Sequence, residues 1–169
     1  MEQAPIRRGV VDLAARAERV RTQTVRGECF ICALCADPRD ELIVYEDELV
    51  VCFLPNFLTM PGRILLAPRE HRTEVVDDFD EDEYLAIQRR VHRIGRALTD
   101  AFDGERLYVF SFGSREGVAQ VHWHLAVLPS GVPFAEQQHH AVMLEHGYVE
   151  YSDSDKQALA DRIRRALVP

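Results

Sequence analysis

The chain has 169 residues, which suits one domain with a sizeable core. Hydrophobic residues make up 47% and charged residues 28%, ordinary proportions for a globular protein, and no apolar run is long enough to span a membrane. The formal net charge of -8 argues against broad nucleic-acid binding but leaves room for a local basic pocket that takes a small phosphate.

The first residues, MEQAPIRRG, run into a charged segment and lack the apolar core of a signal peptide. The expected location is therefore cytoplasmic, with the four cysteines present as thiols or metal ligands rather than disulfides. Residues 10–26 read as a helix, because Val10, Leu13, Ala14, Ala17 and Val20 recur at helical spacing, and Gly27 ends it. It reads as an appended arm that packs on the domain or on a second subunit. Residues 29–40 read as a loop. Strands are expected at 42–46 and 49–54, joined by a tight turn at Asp47 and Glu48.

Residues 55–62 form an irregular loop with two prolines, and 64–67 a short buried strand. The acidic run 77–83 favours the positive end of a helix dipole. That helix is expected to run to about residue 99, with Leu85, Val91, Ile94 and Leu98 facing inward. A strand at 107–112, a glycine turn at 113–117, a strand at 120–128, an irregular stretch at 129–138 and a final amphipathic helix at 154–167 follow. The implied division is an extension at 1–27, a core domain at 28–150 and a C-terminal helix at 151–169 packed on it. Antiparallel strands, one long helix, then more strands indicate α+β architecture. Neither GxGxxG nor GxxxxGK[ST] is present.

The stretch from Val118 to Leu128 carries most of the functional signal. It alternates like a strand, with Val121, Trp123 and Leu125 on one side and Gln120, His122 and His124 on the other. Two imidazoles and an amide on one side of a core-like strand require hydrogen bonds or a ligand. Paired histidines suit metal ligation or nucleophilic and acid–base work on a phosphoryl group. A polar solvent face on an edge strand is the plain alternative. A metal site of the His-x-His type is the other, but no acid follows within the strand and Glu136 lies beyond a proline turn. Cys29 and Cys32 form a zinc half-site or are small buried apolar side chains, and Cys35 adds an overlapping pair. Cys52 belongs to an apolar strand and reads as core. His92, His139, His140 and His146 read as surface residues.

These residues resemble the histidine triad (HIT) superfamily of nucleotide hydrolases and transferases, with Gln120 in place of the first histidine of His-x-His-x-His. The similarity extends over residues 28 to 140 in collinear pieces: the Cys29–Cys32 pair, the acidic hairpin Val44–Glu48, the block from Pro61 to His71, and the histidine motif after the glycine turn. The resemblance implies a five-stranded antiparallel sheet with one long helix, and a homodimer. It implies a nucleotide-type small-molecule substrate, with neither nucleic acid nor membrane as a partner.

It further implies that His122 attacks the α-phosphorus, forming a nucleotidyl-histidine that water or another acceptor resolves. Gln120 completes the catalytic set, and His124 contacts the phosphate or the leaving oxygen. Ser111, Ser114 and Arg115 are the side chains expected near the phosphoryl oxygens. Zinc-bearing members imply Cys29, Cys32 and His71 as ligands; the fourth position falls on Gln120, a poor zinc ligand, which leaves water or Cys35 to fill it or the site lost. The ribose-binding Asp of the family aligns with Pro55, leaving Asn56 as the nearest hydrogen-bonding group. Arg63 stands where many members have histidine and reads as a cation for phosphate or as a surface residue. Hydrolysis of a dinucleoside polyphosphate or nucleoside phosphoramidate is the expected activity. The alternatives are transfer to a specialised acceptor and a non-catalytic, zinc-stabilised nucleotide-binding protein.

Overall fold

The computed structural model describes residues 8–36 and 42–167. In chain order the elements are β1 (Arg8–Gly9), α1 (Leu13–Val25), α2 (Phe30–Ala36), β2 (Ile43–Glu46), β3 (Val50–Phe53), β4 (Gly62–Pro68), α3 (Glu81–Phe102), β5 (Gly104–Ser111), β6 (Trp123–Pro129), α4 (His139–Val142), β7 (Tyr148–Val149) and α5 (Asp153–Leu167). Strands β2 to β6 form one antiparallel sheet in the order β2-β3-β4-β6-β5. The short strands β1 and β7 pair separately.

Alternation along the strands gives the sheet two apolar faces. Cys52, Ile64, Leu66, Trp123, Leu125 and Val127 lie beneath α3 and α5. Ile43, Val51, Phe53, Leu65 and Ala67 face the other way, against Ile31 of α2, while Ala126 and Leu128 meet Met60 and Val142. Cys52 is fully buried, as an apolar strand position requires.

Helix α3 starts where Asp80 accepts from the Glu83 N–H at 2.8 Å, and its first turn carries Glu81, Asp82 and Glu83. Its buried stripe is Ile87, Val91, Ile94 and Leu98. Leu85, expected inside, is 42% exposed. It precedes Ile87 by two residues, about 200° of helical rotation, and so points to the opposite side. At Gly95 an added Cβ would come within 2.6 Å of Leu107 Cδ2, so the missing side chain lets α3 lie close on β5.

Two other expectations change. The segment read as a loop after Gly27 is helical over Phe30–Ala36, and 37–41 lie outside the described residues. The helix forms because Ile31, Leu34 and Cys35 share a face against the second side of the sheet, and because Cys29 Sγ accepts from the Cys32 N–H at 3.5 Å as a cap. The strand expected from 120 joins the ladder only at Trp123. Ahead of it, the Val121 N–H donates to the Arg72 carbonyl at 2.7 Å instead of to a sheet neighbour.

The β2–β3 turn is organised by Asp47. One carboxylate oxygen accepts from the Leu49 and Val50 N–H groups, both at 3.0 Å, and the other from Tyr45 at 2.7 Å and Arg90 at 2.6 Å. Burial alone would raise the Asp47 pKa, but these donors outweigh it and bring the carboxyl down to about 2. A depressed carboxylate contributes stability that is complete above its unfolded pKa and is lost as pH falls through the folded value. Asp47→Asn is therefore expected to cost about 1–3 kcal/mol near neutral pH. In urea denaturation the difference from wild type should shrink as pH falls from about 4 toward 2. A difference that stays constant over that interval would show that the carboxylate charge is not what holds the turn.

Candidate active site and metal centre

The second sheet face is covered at one end by α2 and at the other by the segment leading into α4. Between these covers lie the five buried polar or charged side chains among the described residues: Thr59, Arg63, Gln120, His122 and His124.

His122 Nδ1 lies 2.9 Å from the Gln120 carbonyl oxygen. A carbonyl only accepts, so Nδ1 carries the hydrogen and Nε2 keeps its lone pair. Burial lowers the His122 pKa, the Gln120 carbonyl opposes this, and the Arg63 charge lowers it further, so the ring favours the neutral form. The His122 carbonyl accepts from the Ser111 hydroxyl at 2.8 Å, which ties the backbone of the motif to the end of β5.

His124 sits edge-on to His122, with ring centroids 4.9 Å apart, and stacks on Phe110 at 4.6 Å. Its Nδ1 lies 3.0 Å from Arg63 Nη2. Burial, then Arg63, then His122 push the His124 pKa down to about 2.

Arg63 is only 6% exposed, which removes the surface reading. It projects from β4 on the same face as Leu65 and Ala67, the side away from α3. Thr59 and the Val142 carbonyl each accept from its Nη1 at 2.8 Å. Sequence reasoning missed Thr59, Phe110 and the Val142 carbonyl as members of the site. The one available signal was an arginine inside an otherwise apolar strand.

Gln120 links this pair to a sulfur cluster. It is 1% exposed. Its amide nitrogen donates to the Pro68 and Glu70 carbonyls at 2.9 and 3.3 Å. With the nitrogen so committed, Oε1 faces the thiols, accepting from Cys29 at 2.8 Å and from Cys32 at 3.3 Å. Cys32 Sγ lies 3.2 Å from His71 Nδ1. The ligand atoms of Cys29, Cys32 and His71 all fall within 4.8 Å of one another, a Cys/Cys/His donor set of the kind that suits zinc. Burial and the neighbouring Cys29 thiol push the Cys32 thiol up to about 11, so metal binding would release protons.

The remaining expected residues make their described contacts with other partners or are exposed. Asn56 is exposed in the 55–62 loop. Ser114 closes a tight turn through paired backbone bonds with Gly117, both 3.0 Å. Arg115 pairs with Glu74 at 3.0 Å on the surface. Helix α1 has no fully buried residue. Its half-buried Val20 approaches the same turn, 3.4 Å from where a Cβ on Gly117 would stand. His140 and His146, expected as separate surface residues, stack at 3.8 Å beside Glu145. Among the described residues no helix is long and apolar enough to cross a membrane.

Two buried imidazoles held side by side, beside a thiol cluster, suit nucleophilic and acid–base chemistry. The HIT domain family matches residues 38–130, and the chain belongs to that family of nucleotide-binding proteins, whose members are typically hydrolases or transferases. It is 32% identical over 104 residues to the protein hit of Bacillus subtilis, covering 60% of this chain and 70% of that one.

Among solved structures, a hypothetical histidine triad nucleotide-binding protein of Sulfolobus tokodaii superposes with a TM-score of 0.66 at 20% identity, covering 82% of this chain and 91% of the other. A zinc-bound histidine triad family protein of Mycobacterium smegmatis gives 0.63 at 19% identity, covering 82% and 92%. The α+β fold with a five-stranded antiparallel sheet is that of these neighbours.

Gln120→Met keeps the length of the side chain and removes both polar ends. It would leave the buried Pro68 carbonyl, and the part-buried one of Glu70, without the Gln120 donor and is expected to lower stability by about 1–3 kcal/mol in chemical denaturation. An unchanged midpoint would mean that other donors, or water, satisfy those carbonyls.

Proposed function

We propose that the protein cleaves a nucleoside phosphate at its α-phosphorus through a nucleotidyl-His122 intermediate, with water as the usual acceptor. The observation that carries this reading is the 2.9 Å contact between His122 Nδ1 and the Gln120 carbonyl, which leaves Nε2 as a fixed lone pair. A nucleophile needs that lone pair, and lowering of the pKa by burial keeps it available at neutral pH. His124, one pleat along, supplies the second contact to the reacting phosphate. Transfer to an acceptor other than water uses the same intermediate. The reading places the chain in the cytoplasm, with 28–150 as the family domain and the flanking helices as additions. A homodimer is supported by β5, an edge strand that leaves Val109 45% exposed beside α3.

Cys29, Cys32 and His71 would hold zinc, with the Gln120 amide oxygen in the fourth position. A zinc ion there would act as a closed structural clamp between α2 and the end of β4, and so would steady the carbonyl that orients His122.

His122→Ala is expected to remain folded and to lose turnover by at least about 1000-fold. Intact-mass measurement after mixing with nucleoside phosphoramidates and dinucleoside polyphosphates, quenched in alkali, should show a transient nucleotidyl adduct on the wild-type chain alone. An active His122→Ala variant would sink the assignment. For the metal, elemental analysis should find one zinc per wild-type chain, reduced at least about tenfold in occupancy by Cys32→Ser, and a chelator should lower the melting temperature. A wild-type chain that takes up no zinc would overturn that part of the reading.

A further inference from the structure

The register of β4 against β6 sets Leu65 opposite His124 and Arg63 opposite Ala126, so Arg63 meets His124 on the diagonal of one face. Its guanidinium is anchored by Thr59 and the Val142 carbonyl and lies 5.6 Å from the Phe110 ring centre. Among the described residues no carboxylate pairs with it, and its Nε has no partner.

A guanidinium has five N–H donors, no acceptor, and keeps its proton under all ordinary conditions. What it meets on His124 Nδ1 must therefore be a lone pair. The single hydrogen of the ring is left on Nε2, and a second proton on Nδ1 would collide with the cation. The other surroundings act in the same sense. The titratable and charged groups facing His124 are Arg63 from β4 and His122 from the approach to β6, while Phe110 of β5 and Phe112 just beyond it contribute rings. Arg16 of α1 adds positive field at Arg63.

We propose that Arg63 is a positioning residue that locks His124 as a neutral Nε2–H donor, and that it thereby restricts the reaction to substrates whose leaving group departs as an anion. This rests on the His122 chemistry proposed above. In the first step the His122 Nε2 lone pair forms the N–P bond. The P–O bond to the leaving group breaks, and its electron pair leaves on oxygen. His124 donates a hydrogen bond to that oxyanion, and no proton changes owner. In the second step water attacks phosphorus, the electron pair of the P–N bond returns to Nε2, and the water proton goes to solvent.

A phosphate-anhydride oxygen can leave in this way. An amine cannot, because it must take up a proton as it leaves, and the Nε2–H of a neutral imidazole donates a hydrogen bond but is far too weak an acid to give that proton up. The substrate class is thus a nucleoside polyphosphate rather than a nucleoside phosphoramidate.

The test has two arms on the full-length protein. Long-range proton–nitrogen NMR on histidine-labelled wild type should show His124 protonated at Nε2 only, without titration between about pH 5 and 9. In Arg63→Met, where burial remains but nothing donates to Nδ1, a population of His124 protonated at Nδ1 should appear, while Arg63→Lys, which retains a cation and a donor, should behave closer to wild type. His124 protonated at Nδ1, or titrating near its ordinary value in the wild type, would overturn the lock without recourse to any variant.

In the second arm, matched anhydride and phosphoramidate substrates of the same nucleoside, for each of the common bases, should differ in kcat/KM by about 100-fold or more in favour of the anhydride, the scale of general-acid assistance. That ratio should narrow in Arg63→Met. A wild-type protein equally fast on the phosphoramidate overturns the leaving-group restriction. Turnover on neither overturns the His122 chemistry and the restriction together, while the NMR result still decides the lock.

Discussion

Gln120 is the residue on which the site depends. Three of its polar groups are engaged in three directions. The backbone carbonyl fixes the hydrogen of His122, the amide nitrogen is held by two carbonyls at the end of β4, and the amide oxygen gathers two thiols. A fully buried amide with its donors and acceptor so committed has one orientation, and that orientation passes from the sulfur cluster to the nucleophile. A histidine at this position would offer a ring nitrogen to the cluster. Glutamine offers an oxygen and gains a bidentate hold on the backbone of β4.

The second constraint is electrostatic. Arg63 is a cation buried among apolar side chains with no carboxylate beside it, and burial lowers its pKa to about 10. Keeping such a charge uncompensated is costly, and proteins retain it where an anion will bind. The two neighbouring imidazoles stay neutral in its field. The charge beside the two rings is thus positive although the chain as a whole carries a formal charge of -8. Bulk charge says nothing of this, because no Asp or Glu is among the buried residues described, while the arginine is buried on the sheet.

Much was legible in the sequence because it depends on local periodicity. The order of strands and helices, the α+β class, the two sides of the 118–128 segment and the gathering of Cys29, Cys32 and His71 follow from residue spacing and from the resemblance to the histidine triad family. Helix α2 was hidden because seven residues around three cysteines give too short a window to distinguish helix from loop. Leu85 misled because a single apolar residue at the start of a helix carries no phase; Ile87, two positions on, belongs to the stripe that the sheet covers.

By itself, then, the sequence determined which chemistry is available: two imidazoles on one side of a strand, thiols at metal spacing, and a hydrophobic alternation that buries them. Tertiary structure decided how that chemistry is set. Only strand register brings Arg63 beside His124 across 61 positions, and only the folding of the cysteine helix against the sheet brings Cys29 to the amide of Gln120 across 91. The first of those contacts chooses the tautomer of His124, while that of His122 is set by the backbone carbonyl of Gln120. A tautomer is set by what stands at hydrogen-bond distance, and no spacing within one strand encodes the identity of a neighbour on another.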